Sequence, residues 1–125
     1  MSNKKTILIA EDNDSNLKLM RDILQLQGYE LIEARDGEQA IELTIKNKEI
    51  IDLILMDLQL PIISGMQAIK ALKMSNQTKN LPVFVVSAHA MQSDIEKARE
   101  AGCLEYITKP INLSEFIQKI NSFLK

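Results

Sequence analysis

Cysteine is nearly absent: Cys103 is the only one in 125 residues. No internal disulfide can form, and a lone thiol of this kind suits a reducing compartment as a small buried side chain. Tryptophan is missing, and two tyrosines and three phenylalanines are a thin supply for stacking a flavin ring. No apolar stretch approaches the roughly 18 residues of a membrane span. The start, Met1-Ser2-Asn3, leads into a short apolar run that soon meets Glu11-Asp12, which is no signal peptide. Neither sign of charge dominates. Fifteen Lys and Arg against seventeen Asp and Glu give a formal charge of −2, with a pI near 5.4, and hence no general attraction to nucleic acid or an anionic membrane. The pair Lys4-Lys5 reads as a solvated end. Walker A and G-x-G-x-x-G segments are absent too, so nucleotide binding has no support. These absences describe a cytoplasmic protein.

The length fits one domain, residues 1–125, able to bury roughly two thirds of the surface its unfolded chain exposes. Short apolar runs at Ile7–Ala10, Leu53–Met56 and Val83–Val86 read as strands buried on both faces. Tyr29–Ala34 and Leu104–Thr108 carry Glu33 and Glu105, which marks them as edge strands. Between the runs the apolar spacing turns helical: Leu17, Met20 and Leu24 share one face, as do Leu113, Phe116, Ile117, Ile120 and Leu124. A further helix is expected from about Met91 to Ala101, with a thin apolar face. Asp36, Ser64 and Asn112 stand where helices begin, Asn112 with Glu115 as a capping box. Gly28 and Gly102 stand where helices end, and Pro82 introduces the fourth strand. Strand and helix alternate five times, which implies a doubly wound α/β domain with a parallel sheet. The edge and centre strands match the order 2-1-3-4-5, one of the two common doubly wound orders.

In such folds ligands bind at the carboxyl ends of the strands, where the strand order reverses. Strand 1 ends at Glu11-Asp12, strand 3 at Asp57, strand 4 at Ser87 and strand 5 at Lys109. Each residue alone has an ordinary explanation, such as a charge at a helix N-terminus or a turn residue ahead of Pro61. Their convergence does not. Two carboxylates about 4 Å apart repel by roughly 4 kcal/mol at an effective dielectric of about 20, a large share of net stability. A hard divalent cation relieves that repulsion, and oxygen ligands without His or Cys favour Mg²⁺. A metal beside a carboxylate and a lysine suits phosphoryl transfer, with Asp57 as nucleophile and Ser87 and Lys109 holding phosphoryl oxygens.

Glu11-Asp12, the segment Leu55-Met56-Asp57-Leu58-Gln59-Leu60-Pro61 with Gly65, Val86-Ser87-Ala88 and Lys109-Pro110 together resemble the receiver domains of two-component response regulators, over essentially the whole chain. The details are similar to single-domain receivers of the DivK type and to receivers of hybrid histidine kinases. The resemblance implies that Asp57 is phosphorylated by a histidine kinase or phosphotransfer protein. It makes Asp12 and Asp57 direct Mg²⁺ ligands, Glu11 a ligand through water, and Gln59 a ligand through its carbonyl. It assigns Ser87, the Ala88 amide and Lys109 to the phosphoryl group, makes the Lys109-Pro110 bond cis, and makes Ser87 and Tyr106 the switch pair. The output would be a protein partner on helix 4, strand 5 and helix 5, the domain being a phosphoacceptor that assists its own chemistry and not a separate enzyme. It would be a monomer or weak dimer, bound to neither nucleic acid nor membrane. Ser87 replaces the threonine, and Ser64 the aspartate, that many relatives carry.

Four rivals fare worse. Asp12-Asn13-Asp14 starts like an EF-hand loop, but Leu17 stands where its turn needs glycine. The same residues resemble the haloacid-dehalogenase motif, whose enzymes are longer and carry a cap domain. A flavodoxin-like carrier would place its phosphate where Glu11-Asp12 repels it. A receiver fold that binds without phosphorylation predicts the loss of at least one site residue, and all are present.

Overall fold

The computed structural model describes residues 4–89 and 91–125; the start Met1-Ser2-Asn3 lies outside the described residues. Five strands alternate with five helices: β1 (Thr6–Ala10), α1 (Asp14–Leu26), β2 (Glu30–Ala34), α2 (Gly37–Lys46), β3 (Ile51–Met56), α3 (Gly65–Met74), β4 (Val83–Ser87), α4 (Gln92–Ala101), β5 (Glu105–Thr108) and α5 (Leu113–Leu124). The strands form one parallel sheet in the order β2-β1-β3-β4-β5, as the run pattern predicts.

Period-two alternation in the central strands feeds two cores. Leu8, Ala10, Ile54, Met56, Val83 and Val85 point to one face, where Ala40 of α2, Ala68, Ile69 and Leu72 of α3, and Ala98 of α4 cover them. Ile7, Ile9, Leu53, Leu55, Phe84 and Val86 point to the other, under Leu17, Met20 and Leu24 of α1 and Phe116 and Ile120 of α5. A strand covered on both faces has no place for alternate polar residues, which is why β1 and β4 are buried throughout. The edges differ. Glu33 on β2 is gripped by Arg21 of α1, and Glu105 on β5 by Lys119 of α5 at 2.9 Å, so each open edge carries a charge that blunts strand addition.

Most element ends follow local chemistry. Asn13, Asp36, Ser64 and Asn112 accept a backbone N–H from the third residue beyond them. The complete reciprocal capping box lies at Ser64 and Gln67. Asn112 supplies only its own half, from the Glu115 N–H at 3.0 Å. Gly28 and Gly102 adopt φ of 90° and 118° beyond α1 and α4, the left-handed region open to glycine. Several expected boundaries move by a residue or two: β1 begins at Thr6, β3 begins at Ile51 and β4 runs on to Ser87. Tyr29 precedes β2 because its N–H closes α1 on Leu24 O and its hydroxyl donates to Asn121 Oδ1. Leu104 precedes β5, and Met91 is the N-cap of α4 rather than its first turn, with no side-chain bond to offer. Lys4, read as a solvated end, lies 3.8 Å from Glu30.

Candidate metal centre

Each candidate side chain stands at or just past the carboxyl end of its strand, held there by the sheet's own ladder. The Glu11 N–H donates to Ala34 O at 3.0 Å, the Asp57 N–H to Ala10 O at 3.1 Å and the Lys109 N–H to Ser87 O at 2.9 Å. The sheet therefore delivers these residues to one edge in register. Glu11, Asp12 and Asp57 each present a carboxylate oxygen, and the three oxygens lie within 4.8 Å of one another. Glu11 and Asp57 are buried, whereas Asp12 is exposed, so the cluster opens to solvent on the Asp12 side.

Lys109 projects between the two buried acids. Its Nζ lies 2.6 Å from Glu11 Oε1 and 2.8 Å from Asp57 Oδ2. The remaining oxygens are also held: the Asn13 N–H donates to Glu11 Oε2 at 3.2 Å and the Gln59 N–H to Asp57 Oδ1 at 2.9 Å. Burial drives the Glu11 carboxyl above its ordinary range, assisted by the Asp57 charge and opposed by the Lys109 hydrogen bond. Burial also pulls on Lys109, towards the neutral amine, yet the hydrogen bonds and charges of Asp57 and Glu11 together hold its pKa above the ordinary value. Three carboxylates against one ammonium leave two negative charges unbalanced, the charge of one divalent cation. All the side-chain donors are hard oxygens, and one side is open to water. This set fits Mg²⁺.

The loop after Asp57 is shaped to bring α3 close. A Cβ built on Gly65 would stand 1.9 Å from the Asp57 carbonyl oxygen, so only glycine lets the start of α3 rest on that peptide; the Gly65 N–H also donates to Leu58 O at 3.1 Å. Ile62 lies between them with φ of 70° in a turn closed by the Ile63 N–H on Pro61 O at 2.8 Å. That three-residue turn is rare and strained for a β-branched side chain, and no sequence signal marks it.

On the other side, Ser87 is fully buried and its Oγ accepts the His89 N–H at 3.2 Å. The Tyr106 hydroxyl donates to the His89 carbonyl at 2.5 Å. The His89 backbone thus joins Ser87 and Tyr106, a link that sequence spacing does not reveal. Ala88 is exposed beside them, and the Lys109-Pro110 peptide is cis.

Together, the doubly wound sheet and the acidic trio at its carboxyl edge define a receiver domain. The family model for the response regulator receiver domain matches residues 7–121, and the chain belongs to that family, a signalling module of two-component systems. It is 44% identical over 120 residues to the polar-differentiation response regulator DivK of Brucella anthropi, covering 96% of each chain. Among solved structures it is similar to the receiver domain of the Pseudomonas aeruginosa sensor histidine kinase PA1611 (TM-score 0.87, 28% identity, 97% of this chain and 98% of that one). In that structure a magnesium ion is coordinated in the active-site cleft. It also matches a CheY-like receiver domain protein of Methanospirillum hungatei (TM-score 0.86, 27% identity, 98% and 94% covered).

Proposed function

We propose that Asp57 accepts a phosphoryl group from the phosphohistidine of a histidine kinase or phosphotransfer protein in a Mg²⁺-dependent reaction. The charge balance carries this reading: three acids, two of them buried, are left short of two positive charges, beside a lysine already in place. Asp12 and Asp57 would hold the metal directly, Glu11 through water and Gln59 through its carbonyl. Bound there, the cation supplies charge neutralisation between the carboxylates and the incoming phosphoryl oxygens.

The chain's own residues do the rest. An Asp57 carboxylate oxygen forms the new bond to phosphorus as the donor's nitrogen–phosphorus bond breaks, giving an acyl phosphate. Lys109, 2.8 Å from Asp57, turns one donor to a phosphoryl oxygen, a charge-assisted bond. The Ser87 hydroxyl and the Ala88 amide take others. Moving Ser87 towards the phosphoryl group disturbs the bond it accepts from His89, and through the His89 carbonyl it reaches Tyr106. Phosphorylation would then bias two arrangements of the α4-β5-α5 surface, which a downstream protein reads.

On this reading residues 1–125 form one cytoplasmic receiver domain that assists its own phosphorylation and dephosphorylation; among the described residues, no helix is long and apolar enough to cross a membrane. Gln59 and His89, at the rim, would set phosphate lifetime by admitting or excluding water. Transfer from a phosphorylated histidine kinase tests the proposal: Asp57→Asn and chelation of Mg²⁺ should each abolish labelling. Full labelling of Asp57→Asn would overturn it, and unchanged phosphate lifetimes in Gln59→Ala and His89→Ala would remove the rim residues from it.

A further inference from the structure

Charge is segregated along the chain. Between Leu58 and Ser93 there is no aspartate or glutamate, while Lys70, Lys73 and Lys79 fall within that stretch. The fold sets this acid-free stretch beside α4, and α3 and α4 border a groove of about 470 Å³ lined by Met66, Lys70, Lys73, Met74, Lys97, Glu100 and Ala101. The groove shares no lining residue with the acidic trio.

Its three lysines have different tasks. Lys73 is a strut: its Nζ donates to Lys79 O at 3.1 Å and Leu81 O at 2.7 Å, its stem packs where a Cβ on Gly102 would stand, and burial lowers its pKa. Lys70 and Lys97 are exposed and make no ion pair among the described residues. Between them Met74 is 86% exposed and Met66 half-buried. Methionine is the apolar side chain best able to reshape around a partner, and the Met74 thioether, left in water beside two free cations, gains nothing for folding.

We infer that the α3–α4 groove docks an acidic amphipathic helix of a partner protein, with apolar anchors seated on Met66, Met74 and Ala101 and carboxylates facing Lys70 and Lys97. Charge complementarity identifies the occupant. A groove lined by three lysines against one glutamate, with Met66, Met74 and Ala101 between them, on a chain of net charge −2, selects a segment that brings both leucine-like anchors and acids. Nucleic acid fits poorly. Two free lysines are few beside a protein that makes roughly six to ten phosphate contacts on DNA, and the methionines would have nothing to meet. The same shortage of cations argues against a lipid surface.

The test uses the full chain labelled at methionine methyl groups. The probe is a synthetic helical peptide of about 16 residues with leucines on one face and glutamates elsewhere. Its controls are the same peptide with lysine for glutamate, a single-stranded oligonucleotide, and phosphatidylserine vesicles. The acidic peptide should shift the Met66 and Met74 methyls and leave Met91, on the loop after Ser87, unmoved. The double variant Lys70→Glu/Lys97→Glu should weaken binding by roughly tenfold or more, about 1.4 kcal/mol. Asp57→Asn should bind as wild type does, which separates this surface from the phosphoacceptor chemistry. Still methyls at Met66 and Met74, an affinity indifferent to the charge reversal, or equal shifts from the lysine peptide, the oligonucleotide or the vesicles would each overturn the inference.

Discussion

Lys109 is where the local electrostatics meet. Among the described residues it is the one positive charge touching both Glu11 and Asp57, and removing it leaves two buried carboxylates facing each other. Breaking a buried ion pair costs on the order of 3 kcal/mol because the orphaned charge stays desolvated. Lys109→Ala should therefore lower the unfolding free energy by about 3 kcal/mol in chelator, and Mg²⁺ should restore much of the loss, since the cation takes over the neutralisation. Urea melts with and without Mg²⁺ check this; an equal loss in both would show that the metal does not occupy this cluster. Ile62 is a separate residue-scale case. A strained φ costs about 1–3 kcal/mol and Ile62 is 72% exposed, so Ile62→Gly relieves the strain with little packing lost. A gain in stability of about 0.5–1 kcal/mol is expected after the added freedom of the unfolded glycine, and a loss would mean the turn is unstrained. The acidic trio and Lys109 are legible because strand ends in an open parallel sheet have a known destination. The Lys109–Glu11 contact is not, because 98 residues separate the partners and sequence spacing does not report which of two nearby acids a lysine reaches. The Ile62 turn is equally hidden, since nothing in isoleucine announces a left-handed backbone.

Among elements, the helices and strands were readable where a physical period runs long enough. The apolar face of α1 and the capping residues before α2, α3 and α5 are local signals, so they survive without tertiary information. The failures are tertiary: Tyr29 leaves β2 because its hydroxyl finds Asn121 on α5 at 2.5 Å, a contact across the molecule. The full capping box at Ser64 and Gln67 carries a visible S-x-x-Q signal. The clamp between α1 and β2 makes its own prediction. Arg21 reaches Glu33 with Nε at 2.5 Å and Nη2 at 2.8 Å, and that hydrogen bond holds the Glu33 carboxyl below its ordinary value. A depressed folded pKa means the native state binds fewer protons, so the contribution is present above the unfolded value near 4.5 and is lost as pH falls through the folded one. Glu33→Gln should flatten that part of the acid limb in stability against pH while leaving neutral and alkaline slopes alone. An unchanged acid limb would show that the fork contributes nothing.

At the scale of the whole molecule, the fold class and sheet order were legible because five alternations admit few topologies and the two edge strands declared themselves by their glutamates. The segregation of charge between Leu58 and Ser93 is also written in the sequence, but its consequence is not: only the packing of α3 against α4 turns scattered lysines into a groove. The molecule then divides its labour. On the proposed reading, the carboxyl edge of the sheet gathers charge for chemistry at Asp57, and the outer faces of α3, α4 and α5 would be left for partners. At the centre stands the proposed phosphorylation of Asp57. Incubating the wild-type chain and Asp57→Asn with Mg²⁺ and a small phosphodonor, then measuring intact mass, tests it most directly. The account predicts one added phosphoryl group on the wild type, lost in chelator and absent from Asp57→Asn; the same mass gain on Asp57→Asn, or none on the wild type, would contradict it.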